Sequence, residues 1–123
     1  YNLISCGMLD EAVAAVALKH GDKLLARNRG IVRDNLALLD AWISKEKHAS
    51  YVKPSAGTTS LIYYDLPIPS YTFCKELYQQ TGAFVTPGDC FEEPGCFRIG
   101  YACDKASLQQ GLEAVSAYIR SKE

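Results

Sequence analysis

A single arginine, Arg98, stands in the run Cys96-Phe97-Arg98-Ile99-Gly100-Tyr101-Ala102, which otherwise reads as a buried strand. Side chains alternate across a strand, so Phe97, Ile99 and Tyr101 share one face and Arg98, Gly100 and Ala102 the other. The face carrying the charge is lined by residues with almost no side chain. That leaves space in front of a planar guanidinium, the geometry suited to bidentate binding of a carboxylate or phosphate. A buried charge without a partner is too costly to keep. Arg98 is therefore expected either to pair with an acid on a covering helix or to open onto a wet cleft and bind an anionic ligand.

Other groupings are weaker. Asp89, Glu92 and Glu93 form an acidic loop, either solvated or a paired-carboxylate site. Gly57-Thr58-Thr59 lacks the glycine spacing and the downstream lysine of a phosphate-binding loop, and reads as a structural turn. Cys90 and Cys96 flank a loop and are expected to be partly exposed, with nothing nearby that lowers a thiol pKa. The five cysteines, Cys6, Cys74, Cys90, Cys96 and Cys103, contain no CxxC pair, and His20 and His48 lie far from them in sequence. That pattern argues against a zinc site and for free, mostly buried thiols in a reducing cytoplasm.

The elements that must position Arg98 fit within one domain. The chain has 123 residues, enough for a single core. With 13 basic and 14 acidic residues it has a net charge of −1, which predicts no nucleic-acid or anionic-membrane partner. No apolar run approaches the ~20 residues of a membrane span, and no signal peptide is visible. The opening Tyr1-Asn2-Leu3-Ile4-Ser5 reads like the continuation of a longer polypeptide.

An alanine-rich helix is predicted from Leu9 to His20, capped by Ser5 or Asp10 and stopped at Gly21. A longer helix follows from Asp22 to Lys47, with Leu25, Val32, Leu36, Leu39 and Ile43 at helical spacing. Gly30 marks a place where it could bend, or where its first half reaches toward another surface. Arg27, Arg29 and Arg33 read as a solvated face. Tyr51–Lys53, Ser60–Leu66, Ala83–Thr86 and Cys96–Cys103 read as extended. Ser70 is expected to cap a helix ending at Gly82, and Asp104 a last helix carrying Leu108, Leu112, Val115 and Ile119. The order predicts an α+β fold: a three- to four-stranded, largely antiparallel sheet packed against helices, behind a long N-terminal helix of interdomain type. Residues 1–47 would be the helical interdomain segment and 48–123 the sheet-and-helix core of one domain. Ser60–Leu66 and Cys96–Cys103 would form its centre.

Four segments together resemble one family. They are Asn28-Arg29-Gly30-Ile31-Val32-Arg33-Asp34-Asn35-Leu36, Lys53-Pro54-Ser55-Ala56-Gly57-Thr58-Thr59, Val85-Thr86-Pro87-Gly88-Asp89-Cys90-Phe91 and Phe97-Arg98-Ile99-Gly100-Tyr101-Ala102. In order and spacing they are similar to the interdomain helix, the small-residue turn, the Pro-Gly-x-x-Phe loop and the arginine strand of the C-terminal small domain of class I/II aminotransferases. These are fold type I enzymes that use pyridoxal phosphate. The resemblance implies that Arg98 grips the substrate α-carboxylate. It implies that Gly57 and Thr58, and the loop Pro87–Phe91, lie near the active-site mouth and move as the domain closes. Thr58 stands where relatives often carry a bulky residue, which leaves substrate size open.

The same resemblance implies a large cofactor domain outside this chain. The Schiff-base lysine and most of the cofactor-binding residues would lie there, so no catalytic, cofactor-binding or metal-binding residue is expected here. None of Lys19, Lys23, Lys45, Lys47, Lys53, Lys75, Lys105 and Lys122 reads as a buried Schiff-base lysine. The parent would be a cytoplasmic homodimer that transfers an amino group between an amino acid and a 2-oxo acid, inactive as this fragment. Two alternatives stay open. One is a pyridoxal-phosphate-dependent lyase on the same scaffold. The other is a free-standing α+β small-anion-binding or interaction module, in which Arg98 holds a small anionic effector or an internal acid.

Overall fold

The computed structural model describes residues 7–122, so Ser5 and Cys6 lie outside the described residues. The chain divides into two compact units, up to Gly30 and from Ile31 onward. The first holds helix α1 (Met8–Lys19) and the start of α2 (Gly21–Ile43). Asp10 and Glu11 in the first turn of α1 and Lys19 in its last complement the helix dipole. Gly7 occupies the N-cap with no side-chain cap, so Asp10 does not serve as the expected cap. Gly21 does not stop a helix; it begins α2, and His20 alone separates the two. Helix α1 buries none of its residues, and Met8, Leu9 and Leu18 are each more than four-fifths exposed.

The second unit carries the sheet. Strands β1 (Ala49–Ser50), β2 (Thr59–Tyr64), β3 (Thr86–Pro87) and β4 (Cys96–Gly100) lie in the order β1-β2-β4-β3. Every pairing is antiparallel. The two predicted central strands are therefore central, and the α+β architecture is as the sequence implies. The short edges fall elsewhere than predicted. Pairing with β2 picks out Ala49–Ser50, not Tyr51–Lys53. The last edge strand is Thr86–Pro87, where Pro87 is tolerated because a sheet edge needs no further backbone donor.

One face of the sheet makes the core. Ile62, Tyr64, Phe97 and Ile99 pack with Phe73 and Leu77 of α3 (Ser70–Thr81) and with Leu108, Leu112, Val115 and Ile119 of α4 (Lys105–Arg120). Leu39 from the C-terminal half of α2 joins them. Phe73 organises the aromatic centre, stacked on Tyr64 and Phe97 with centroids 4.3 and 5.4 Å away and edge-on to Tyr118 at 4.9 Å.

Helix α4 is capped as expected: Asp104 Oδ2 accepts from the Ser107 backbone N–H. Helix α3 is not capped by Ser70. Pro69 is its N-cap residue, and the Ser70 hydroxyl accepts instead from the backbone N–H groups of Gly95 and Cys96. A distant carboxylate, Asp89, accepts from the Tyr71 N–H at 2.9 Å. The helix ends as predicted at Gly82, whose φ of 77° is the left-handed conformation glycine adopts without strain.

Candidate functional site

The face of the sheet opposite the core carries Arg98. Antiparallel partners share a face, so Arg98 lies between Leu61 on β2 and Thr86 on β3, with the Thr59–Gly100 pair next along. The expected alternation along β4 holds: Phe97 and Ile99 are buried, Arg98 and Gly100 exposed. The expectation that Arg98 lies in a fully buried strand does not hold. The helices cover one face only, and the guanidinium keeps its hydration, so it needs no internal acid. Among the described residues, no ion pair engages Arg98. Its guanidinium carbon instead sits 4.7 Å from the ring centroid of Phe91. A contact of this kind contributes ~0.5–1 kcal/mol at an exposed site, about as much as an exposed ion pair.

Phe91 closes a single 3₁₀ turn, Gly88–Phe91. The turn requires glycine at its first position: a Cβ on Gly88 would stand 2.8 Å from the Cys96 carbonyl and closer still to that of Glu93. Asp89 ties the same turn to α3 through Tyr71. Glu93 accepts from the Tyr63 hydroxyl at 3.3 Å. Asp89 and Glu93 thus each have a hydrogen-bond partner within the fold.

Gly57 and Thr58 are brought to the end of the arginine strand. The Tyr101 hydroxyl donates to the Gly57 carbonyl and the Tyr101 N–H to the Thr58 carbonyl, each at 2.9 Å. Gly57 has φ of 90°, which other residues rarely adopt. Behind Tyr101, the buried Asn35 amide of α2 donates to the Tyr101 and Cys103 carbonyls, both at 2.8 Å. At its other end the segment is tied back to α2. Lys53 Nζ lies 2.6 Å from Asp40 Oδ2, and the Tyr51 hydroxyl donates to Oδ1 at 2.7 Å. The Lys53 hydrogen bond, then that from Tyr51, holds the Asp40 carboxyl below its ordinary range. Burial first, then the Asp40 hydrogen bond, pushes the Tyr51 phenol well up.

Arg98, Gly57 and Thr58 therefore share one region of the second unit. Sequence reasoning missed Phe91 as a partner of Arg98, because six residues and a turn separate them. It also missed Asn35, which had a readable signal: a polar side chain on the stripe of Val32, Leu36 and Leu39. A separate cleft of about 340 Å³ between the α3–β3 link and α4 is lined by Val85, Ile99, Leu108 and Gly111 and contains no charged residue. Arg98, Gly57 and Thr58 do not line it, so the candidate site rests on charge and geometry, not on cleft size.

Among the described residues, no group of three potential ligands could hold a metal. No helix among them is long and apolar enough to cross a membrane. The four described cysteines are free. Cys74 and Cys96 are buried and Cys90 and Cys103 exposed, so Cys96 is not the partly exposed thiol expected. Burial pushes the Cys74 thiol up to about 12 and raises Cys96 as well. All eight lysines are exposed. None is enclosed in the fold, so the described residues do not fit pyridoxal-phosphate attachment.

Comparison with known proteins defines the class. The sequence profile "Aminotransferase class I and II" matches residues 2–115. A pyridoxal-phosphate-dependent aminotransferase from Streptococcus suis superposes with a TM-score of 0.97 and 39% identity over 100% of this chain and 33% of its own. The pyridoxal-phosphate-dependent cyclase OrfR superposes with a TM-score of 0.91 and 25% identity over 99% of this chain and 34% of its own. Capreomycidine synthase of Streptomyces vinaceus is 30% identical over 94% of this chain and 30% of its own length. This chain belongs to the class I and II aminotransferase family, and it spans about a third of the length of these relatives. The cofactor expected for the parent, pyridoxal phosphate, is the one named for both solved relatives.

Proposed function

We propose that this chain is the C-terminal small domain of a pyridoxal-phosphate-dependent enzyme acting on amino acids and 2-oxo acids, and that Arg98 binds the substrate α-carboxylate. The observation that carries the reading is the free fork of Arg98 on the uncovered face, beside the small side chains of Gly100 and Thr86. When bound in the parent, the cofactor supplies the electron sink and the protein supplies orientation. Arg98 fixes the carboxylate by two parallel N–H···O bonds and so sets which substrate bond faces the reacting centre. Gly57 and Thr58, hung from Tyr101, would form the rim of the site and travel with it as the domain closes and water is excluded.

Amino-group transfer is the leading reaction. A second reading is a different reaction of the same cofactor, because two of the three relatives above are named a synthase and a cyclase. Cytoplasmic location, a homodimeric parent and inactivity of this chain by itself belong to the same proposal.

The test is Arg98→Ala in the full-length enzyme, with an amino acid that it turns over. Removing one partner of a desolvated charge pair costs ~2–5 kcal/mol, so catalytic efficiency should fall about 30- to 5,000-fold. Arg98→Lys should recover only part of the loss, because an ammonium cannot reproduce the planar fork. Unchanged efficiency in Arg98→Ala removes Arg98 from the site.

A further inference from the structure

We infer that Phe91 is a positioning residue for Arg98: its ring holds the guanidinium by a cation–π contact and brings no carboxylate to it, so the N–H fork is left to the substrate carboxylate. The inference rests on the reading of Arg98 given above.

All five guanidinium donors lie in its plane, and none points from its face. A carboxylate partner would occupy the fork; the Phe91 ring, its centroid 4.7 Å from the guanidinium carbon, brings no oxygen acceptor that could. The electron-rich face of the ring attracts the cation without consuming a donor. Arginine is rich in rotamers, and ordering such a side chain on binding weakens affinity. A ring already in place meets part of that cost before substrate arrives.

The turn that carries the ring is itself held independently of any ligand. Gly88 packs against Cys96 on the arginine strand so closely that no Cβ fits. Asp89 fastens the turn to the Tyr71 N–H of α3. Both braces belong to the same unit as Arg98. The Pro87–Phe91 turn, expected from the family resemblance to move as a loop at the site's mouth, is in this respect a fixed support of the arginine strand.

The experiment uses the full-length enzyme with Phe91→Leu, Phe91→Met and Phe91→Tyr. Three readouts are taken: steady-state kinetics with an amino acid, affinity for a simple saturated carboxylic acid as competitive inhibitor, and thermal midpoints. Leucine and methionine keep apolar bulk and lose the ring; tyrosine keeps the ring. Phe91→Leu and Phe91→Met should raise KM and the inhibitor dissociation constant about three- to tenfold, with kcat within about twofold, because the interaction lost is uniform binding. Phe91→Tyr should stay within about twofold of the parent on every measure. Unchanged KM in the two aliphatic variants overturns the inference. So does an equal rise in KM for the tyrosine and aliphatic variants, which would mark Phe91 as a shape-filling residue only. If one aliphatic variant does not fold, the other supplies the comparison with tyrosine. Arg98→Ala is measured in parallel: unchanged inhibitor affinity there defeats the reading of Arg98 itself. Weakened affinity in Arg98→Ala with unaltered affinity in the aliphatic variants defeats only the role of Phe91.

Discussion

Arg98 holds its charge at little cost because it stands exposed on the face of its strand that the helices leave open. The alternation Phe97, Arg98, Ile99, Gly100 was enough to read from sequence which side chains point together. It was not enough to read that the second face is open, since a strand with a lone charge is compatible with a covered sheet and an internal ion pair. Gly100 is the second informative residue. Nothing lies within 4 Å of a Cβ placed on it, so its small size is not demanded by packing. Gly100→Ala should leave the thermal midpoint unchanged or raise it, because glycine in a strand costs ~0.5–1 kcal/mol relative to alanine. Gly100→Leu puts a bulky side chain one pleat repeat, roughly 7 Å, along the same face as Arg98. In the full-length enzyme its KM for amino acid should rise about tenfold with the thermal midpoint preserved. An unaltered KM would show that substrate does not approach across this face.

The elements around the site are joined by a few polar ties, and these were the least legible part of the sequence. Helix α4 and its Asp104 cap follow from local rules, and so do the two central strands. Ser70 misled because a serine at the start of a helix has a second use, accepting from Gly95 and Cys96 across the fold. The edge strands were displaced by two or three residues because their pairing is set by β2 and β4 and not by local preference. The tie of Lys53 and Tyr51 to Asp40 anchors the segment leading to Gly57 and has a testable pH dependence. The Asp40 carboxyl is held below its ordinary value of 3.8, so the folded form binds a proton less readily than the unfolded form. Its contribution is complete above that value and is lost as pH falls through the folded pKa. Glu76, held down by Lys122 and then Tyr118, acts in the same direction. Thermal midpoints measured from about pH 6 to about pH 2.5 should fall on acidification, and Asp40→Asn should make the acid limb shallower. An identical acid limb in the variant would show that Asp40 is equally solvated in the folded and unfolded chain.

The molecule as a whole was legible at the level of class before its geometry was known, because four segments fall in register with one family and the profile match covers residues 2–115. Less legible was the division at Gly30, inside one continuous helix, where glycine has no close neighbour that would force it. The exposed apolar residues of α1 likewise have no explanation within the first unit, and periodicity alone does not say what would cover them. In the function proposed above, what this chain contributes to a reaction is recognition of one carboxylate, and that can be isolated from everything else an enzyme does. The decisive measurement compares catalytic efficiency toward an amino acid and toward the amine left when its carboxylate is removed, in the full-length enzyme and in Arg98→Ala. The parent should prefer the amino acid by about 30-fold or more, and Arg98→Ala should abolish most of that preference by losing activity toward the amino acid alone. A preference that survives undiminished in Arg98→Ala would mean that another group reads the carboxylate, and the role assigned to Arg98 would be wrong.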